Sequence, residues 1–471
     1  MVCTSVTMSS QTAGTKLPQP NLQLHMNGPR PPREHAIIIG GSLAGLVTAR
    51  VLSDLYDRVT LIERDPLPAG IEPRRGVPQA RHVHVLLVRG QELYERLFPG
   101  LRQELVAAGA PLLDAARDLG WFTPAGWGVT FSSKLILAAC TRDLLDWSIR
   151  RRLGRLPHLD LLDNSEVTGL QGTGPRGSVT GVTWRSGDRE GALTADLVVD
   201  AAGRGSRLPR WLEQLGCPPP KETVVNAFFG YASRLYEFRP GFLGDWKGLY
   251  VQAAPPTYPR GGVIFPLEGQ RWIVTLGGGG HDYPPTDEAG FLEYARSLRS
   301  PKFYAALQEG VPCSSIAGSR STENRIRHYE RLGEFPAGLA VVGDAACAFN
   351  PVYGQGMTTA ALGAVALGEC LRRGQRGVGM RFQRQLARIN AVPWALATGE
   401  DLQYAGAEGG ASGTGDRLLQ AYVAAVMAMA TRRVFARRTL LEVLHLLRSP
   451  MALFHPAIAI PALARLLAGR A

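Results

Sequence analysis

Apolar runs along this chain alternate with glycine turns and amphipathic stretches, and the first such unit is the most regular. Ala36–Ile39 is a short continuous apolar run; Leu46, Val47, Ala49, Val51 and Leu52 recur at helical spacing; Val59–Ile62 is apolar again. Read by period, this is strand, turn, helix, strand. Two later runs each end in an acid. Leu197–Val199 leads to Asp200 and a glycine turn, and Leu339–Val342 leads to Gly343-Asp344, a loop, and a helical pattern from about Met357. Between them, Asn226–Phe238 and Gly261–Gly278 alternate as sheet strands do. Thr286-Asp287 has the chemistry of a helix start. From about Met380 the pattern is helical, broken by the glycine-rich stretch Gly406–Gly415.

The turn in the first unit reads Gly40-Gly41-Ser42-Leu43-Ala44-Gly45, a GxGxxG pattern with serine at its second position. Gly40 permits a tight turn, a tiny residue at 42 admits a pyrophosphate, and Gly45 lets helix pack on strand. The helix start then offers free N–H groups to phosphate. Glu63 closes the second strand where an acid binds ribose hydroxyls. Asp344, at the end of a distant strand, suits a ribityl hydroxyl, and Gly354 and Gly356 precede a second helix start. Two such places describe one long cofactor, which FAD is and NAD is not.

Composition removes several other classes. The formal net charge of +12 is carried by arginines spread along 471 residues, with lysine only at 16, 134, 221, 247 and 302. That spread predicts solvated helix faces, and no nucleic-acid partner. Six scattered cysteines without a CxxC pair predict neither a disulfide framework nor a metal site, and a cytoplasmic location. No run reaches the roughly twenty apolar residues of a membrane span. The tail "PMALFHPAIAIPALARLLAG" comes nearest; its prolines, His455 and Arg465 leave it as a docked helical segment, with weak peripheral membrane contact as the alternative.

The segments "GGSLAG", "RRGVPQARHVHVLLVRGQELYERLFPGL", "CTRDLLDW", "DLVVDAAGRGS", "RSTENRIRHYERL", "VVGDAACAFNPVYGQGM" and "LATGEDLQY", in that order, resemble FAD-dependent monooxygenases of the p-hydroxybenzoate hydroxylase superfamily. Within it they are most like bacterial epoxidases that act on polyene precursors of polyethers. The resemblance implies insertion of one oxygen atom from dioxygen through a flavin C4a-hydroperoxide, with an alkene epoxide as product. Aromatic hydroxylation, oxidase or reductase chemistry without oxygen insertion, and a non-catalytic flavoprotein are the alternatives. By the same resemblance Gly40, Ser42, Ala44 and Gly45 hold the pyrophosphate and Glu63 and Arg64 the adenosine side. Arg75 approaches from its loop, Arg142 reaches the flavin or its ribityl phosphate, and Val167 contacts adenine. Asp344 binds the ribityl chain, with Pro351, Gly354, Gly356 and Met357 along the pyrimidine edge. Where many aromatic hydroxylases carry Asp-Gly, this chain has Ala202-Gly203, so electrons from NAD(P)H arrive directly or through a partner flavin reductase. Flavin halogenases carry a Trp-x-Trp element that is absent here.

The expected architecture is α/β. A discontinuous Rossmann-like FAD-binding domain takes 34–111, 135–216 and 321–376, and a β-sheet substrate domain takes 112–134 and 217–320. A helical C-terminal region, 377–471, follows, and 1–33 is expected to be a disordered leader. Phe228, Tyr231, Phe265 and Trp272 are the candidate wall for an apolar substrate. His82 and His84 stand two apart, and with no third ligand nearby the spacing favours structural hydrogen bonds over a metal.

Overall fold

The computed structural model of the chain describes residues 33–174, 176–410 and 414–468. The expected leader lies outside the described residues up to position 32, as do 411–413 of the glycine-rich stretch.

Five strands, His35–Ile39, Arg58–Ile62, Leu159–Leu162, Leu197–Asp200 and Leu339–Val341, form a sheet in which every pair is parallel. Their spatial order is Leu339–Val341, Leu197–Asp200, His35–Ile39, Arg58–Ile62, Leu159–Leu162. Consecutive residues point to opposite faces of a strand, yet Ala36, Ile37 and Ile38 are all fully buried, so both faces are covered. The helices Leu43–Leu52 and Gly356–Arg372 pack on each other within this core, which also takes in Val179 and Val182 of a three-stranded antiparallel sheet spanning Glu166–Thr194.

The second sheet has eight strands, mostly antiparallel, built around Gly230–Phe238, Arg271–Gly278 and Arg260–Pro266. Leu119–Thr123 joins it from far upstream by pairing with Gly248–Val251. Alternation sorts its residues by face. Ala232, Tyr236, Ile264, Val274 and Leu276 meet the helices Glu288–Arg296 and Pro301–Gln308 in one core. Asp287 caps the first of these helices, its Oδ1 accepting the Gly290 N–H at 2.8 Å. Residues of the other parity, Ser233, Phe265, Ile273 and Thr275 among them, face the opposite way.

The C-terminal helices do two separate things. Val378–Asp401 belongs to the parallel-sheet core through Val378, Phe382 and Leu386, and Gln383 Nε2 donates to Val341 O at 3.1 Å. Thr414–Ala430, Val434–Leu444 and Pro456–Leu467 form a separate layer that buries Ala425, Val426, Leu440 and Ile458 against Trp121, Leu135 and Leu137. Among the described residues no helix is long and apolar enough to cross a membrane.

One of the closest glycine approaches among the described residues is at the glycine turn. A Cβ on Gly45 would stand 1.8 Å from the Gly40 carbonyl oxygen, a backbone atom that has nowhere to move. Gly45→Ala is expected to lower stability by about 2–4 kcal/mol, read as a reduced urea midpoint with an unchanged slope. An unchanged midpoint would show that helix and strand do not need this approach.

Candidate active site

The parallel sheet delivers three strand ends to one edge. At the first, Gly40 has φ of 101°, in the region that favours glycine, and any Cβ there would lie 2.6 Å from Ala201 O. Ser42 is the N-cap of Leu43–Leu52, but its side chain caps nothing in the helix. Its Oγ accepts instead from Arg142 Nη2 at 2.9 Å. The first N–H groups of this helix therefore keep their free donors, with a cation beside them, which is the chemistry of an anion site. Arg142 opens the helix Arg142–Leu153, capped by Thr141, and is buried with its Nε bonded to nothing. Burial lowers its pKa, partly offset by Asp146. A buried guanidinium donor without a partner is the mark of a missing acceptor.

At the second strand end, Glu63 is also buried. Its Oε2 accepts the Gly41 N–H at 2.7 Å and lies 2.9 Å from Arg74 Nη2, while its Oε1 accepts the Asp65 N–H at 3.0 Å. Arg74 reaches on to Gly41 O at 2.8 Å and to Asp146 at 3.2 Å, and Arg150 Nε donates to Asp146 at 2.7 Å. Glu63 thus anchors the glycine turn. Sequence reasoning chose Arg75, which the structure leaves exposed; the buried, paired residue is its neighbour Arg74. Arg64 is exposed at the rim, and Val167 is buried in the strand Glu166–Gly172, tied to Glu63 through the Ser165 N–H.

At the third end, Gly343 approaches so closely that a Cβ on it would be 2.7 Å from the Ala44 side chain, which joins the first motif to the last. Asp344 follows. Its side chain is 42 % accessible, yet the surrounding protein desolvates it and raises its pKa, opposed by Arg204 and Arg142. Arg204 stands 3.7 Å from it and ties the middle motif to the last one through Phe349 O at 2.5 Å. Asp200 itself is fully buried, bonded to Ser206 Oγ and to the Ala202 N–H, and serves the turn alone.

The loop after Asp344 is held by a polar network that motif reading missed. Asn350 Nδ2 donates to Asp401 at 3.1 Å, Asn324 Nδ2 at 2.6 Å and the Tyr353 hydroxyl at 2.5 Å. Asn350 Oδ1 accepts from the Tyr231 hydroxyl at 2.9 Å and from the Val352 N–H at 3.2 Å. Pro351 is exposed, Gly354 takes φ of 63°, and Gly356 starts a seventeen-residue helix whose N-cap, Gln355, makes no capping bond. Gln355 Oε1 is buried without a partner. Met357 lies in the first turn, its carbonyl accepting from Tyr94 at 3.5 Å.

Of the expected wall residues, Tyr231 and Phe265 lie on the sheet face with Ser233 and Thr275, and Phe265 is packed into a small core with Leu113 and Ile273. Phe228 stacks on His281 at 4.0 Å. Trp272 is a correction: alternation turns it to the helix-covered face, against Phe238 and Phe242. His82 and His84 lie in a segment without strand pairing. Their Nδ1 atoms contact Ser233 Oγ at 2.8 Å and His82 O at 2.9 Å, and burial lowers their pKa values to about 4 and about 3. Among the described residues no cluster of three metal-ligating side chains forms. Glu400, beside Asp401, is partly accessible but enclosed, and burial followed by the Asp401 charge raises its pKa to about 7. Tyr250, Tyr353 and Tyr404 all feel its charge.

This architecture, with a nucleotide turn, a split parallel-sheet domain and a second sheet beside it, is the fold of flavin-dependent monooxygenases and halogenases. It superposes on p-nitrophenol 4-monooxygenase of Pseudomonas putida with a TM-score of 0.64 at 16 % identity, over 89 % of this chain and 99 % of that one. The flavin-dependent brominase Bmp2 gives 0.64 at 14 % identity, over 93 % and 99 %. No protein-family model matches the sequence. Protein Rv3254 of Mycobacterium tuberculosis is 36 % identical over 351 residues, 72 % of this chain and 73 % of that protein. The chain belongs to the family of this mycobacterial protein.

Burial pushes the Asp401 carboxyl up to about 6, against the opposing bonds from Tyr353, Asn350 and Asn324. Both acids thus bind protons more tightly folded than unfolded, so stability falls as the pH rises from about 4 to about 7. Glu400→Gln is expected to flatten that fall by on the order of 1–3 kcal/mol in unfolding titrations across the window. An identical pH profile in the variant would place the Glu400 carboxyl in solvent.

Proposed function

We propose that this chain is an FAD-dependent monooxygenase that transfers one oxygen atom of dioxygen to an apolar small molecule, epoxidising an alkene of polyketide or terpenoid type. The observation that carries the reading is the meeting of two uncapped helix starts at one sheet edge, one beside Arg142 with its unpartnered Nε, the other beside the open carboxyl of Asp344. One anion site and one hydroxyl site on the same edge fit a dinucleotide with a polyol arm. Two of the structural neighbours, a flavin-dependent brominase and a p-nitrophenol 4-monooxygenase, support the same cofactor class. The epoxidase assignment rests on the sequence segments quoted above.

Gly40, Ser42, Ala44, Gly45 and Arg142 would hold the pyrophosphate, and Glu63, Arg64 and Val167 the adenosine side, with Arg75 near the opening. Asp344 would bind the ribityl chain, and Pro351, Gly354, Gly356 and Met357 would border the flavin ring. Bound there, FAD supplies the activation of dioxygen. The chain's own residues do the rest. The Gly356 helix start favours negative charge at the ring edge. The Tyr231–Asn350–Asp401 network fixes the loop that presents this helix start. Phe265 and its sheet neighbours exclude water, while Tyr231 spends its hydroxyl on the loop and presents ring to the substrate side. NAD(P)H is the electron source, and Ala202 in place of an acid favours delivery through a flavin reductase.

The purified protein should take up FAD, seen as bound flavin absorbance, and Asp344→Ala should weaken FAD binding about tenfold or more through loss of a charge-assisted hydrogen bond. Unchanged affinity would contradict the assignment of Asp344. With a reconstituted reductase and a polyene substrate, labelled dioxygen should leave one labelled oxygen in the product. Turnover without label would leave only hydride-transfer chemistry, and a labelled phenol from an aromatic substrate would favour ring hydroxylation. Anaerobic flavin reduction by NADPH alone should be slow; fast bleaching would overturn the need for a reductase.

A further inference from the structure

The last helical layer carries apolar side chains outward as well as inward. In Pro456–Leu467, Ile458 and Ala462 are buried, whereas Ile460, Leu463 and Leu467 stand on the outer face at spacings of three and four. A helix packed on a soluble protein normally turns polar residues to water. The outer face continues beyond this helix. Phe454 stacks on Tyr422 with ring centres 4.7 Å apart, and Phe435 meets His455 edge-on at 5.3 Å. Tyr422 is buried, whereas Phe435, Met451, Phe454, Ile460, Leu463 and Leu467 are between 44 % and 90 % exposed.

The charge around them is one-sided. Arg432 and Arg433 directly precede Val434 and Phe435, and all four are exposed; Arg448 is exposed just before Met451. From Thr414 to Ala468 the sequence has seven arginines, of which Arg437 is buried, against two carboxylates, Asp416 and Glu442. Glu442 is already engaged by Arg448 at 3.1 Å.

We propose that this face docks peripherally on an anionic phospholipid bilayer, its apolar side chains entering the headgroup boundary and its arginines meeting lipid phosphates. Both features are answered by one partner, since interfacial binding combines buried apolar area with attraction to anionic lipid. A second copy of the chain fits less well. A two-fold contact would set this arginine-rich face against itself with too few carboxylates to pair it. The inner side of the same layer packs on Trp121 and Leu135 and against Tyr250, so the docked face is the outer side of the wall that flanks the substrate sheet. The inference does not depend on the reaction proposed above.

The test is co-sedimentation of the full chain with phosphatidylcholine vesicles, with and without about a third phosphatidylglycerol. Binding to the anionic vesicles is expected, at least about tenfold weaker to neutral ones and weakened by salt. Leu463→Asp with Leu467→Asp, and separately Arg432→Glu with Arg433→Glu, should each reduce anionic-vesicle binding about tenfold or more. These positions are exposed, and an unchanged thermal unfolding curve shows that the variants remain folded. No binding to anionic vesicles, or binding that both variants retain in full, overturns the proposal. So does a lipid-free dimer in sedimentation velocity that the leucine variant splits, which would assign the face to a second copy.

Discussion

In the parallel sheet Ile39 pairs with both Ile62 and Asp200, and Asp200 pairs with Val341, so four strands end at one level. Parallel pairing allows nothing else, because every strand must run the same way and each return is made outside the sheet. That constraint brings Gly40, Glu63, Asp200 and Asp344 to one edge although some three hundred residues separate the first from the last. Cofactor crevices in open parallel sheets lie at such edges. The close approach of Gly45 to Gly40, and of Gly343 to Ala44, leaves no room for a Cβ at either glycine.

Charge inside this unit works by positioning. Glu63, Arg74, Asp146 and Arg150 form a buried chain of ion pairs, and such clusters contribute little net stability once desolvation is counted. What they supply here is a fixed glycine turn, since Glu63 and Arg74 hold the Gly41 N–H and carbonyl from opposite sides. Asp401 plays the same part for the loop at 350–354. It gathers three side-chain donors from two other segments, and Asn350 passes the constraint to Tyr231 of the second sheet. The two sheets are therefore coupled through one carboxylate, Asp401, that lies in the "LATGEDLQY" segment but has no role assigned there by the sequence.

What was legible in the sequence was local. The glycine turn, its helix and its acid lie within thirty residues, and period and spacing alone identify them. Arg142 was singled out only through the resemblance of its segment "CTRDLLDW". Arg74 and Arg75 were not separable, since neighbouring arginines in a loop differ only in which one the fold turns inward. Trp272 looked like a pocket residue because strand periodicity gives two faces without saying which is which. The helix Val378–Asp401 read as the start of a C-terminal region, whereas its packing joins it to the first core. Asp401 and Glu400 lie in the "LATGEDLQY" segment, but nothing local gave either a role, because their partners are distant in sequence.

The sequence by itself determined the elements and the glycine turn, since both depend on interactions within a few residues: period, capping and the space a missing Cβ leaves. Tertiary structure decided which strand face meets the covering helices, which arginine is buried, and that Asp401 locks the loop. It also decided that the last helices leave an apolar face uncovered. Those outcomes depend on contacts between segments far apart in the chain, and no local pattern encodes the direction in which a folded strand or helix presents its side chains.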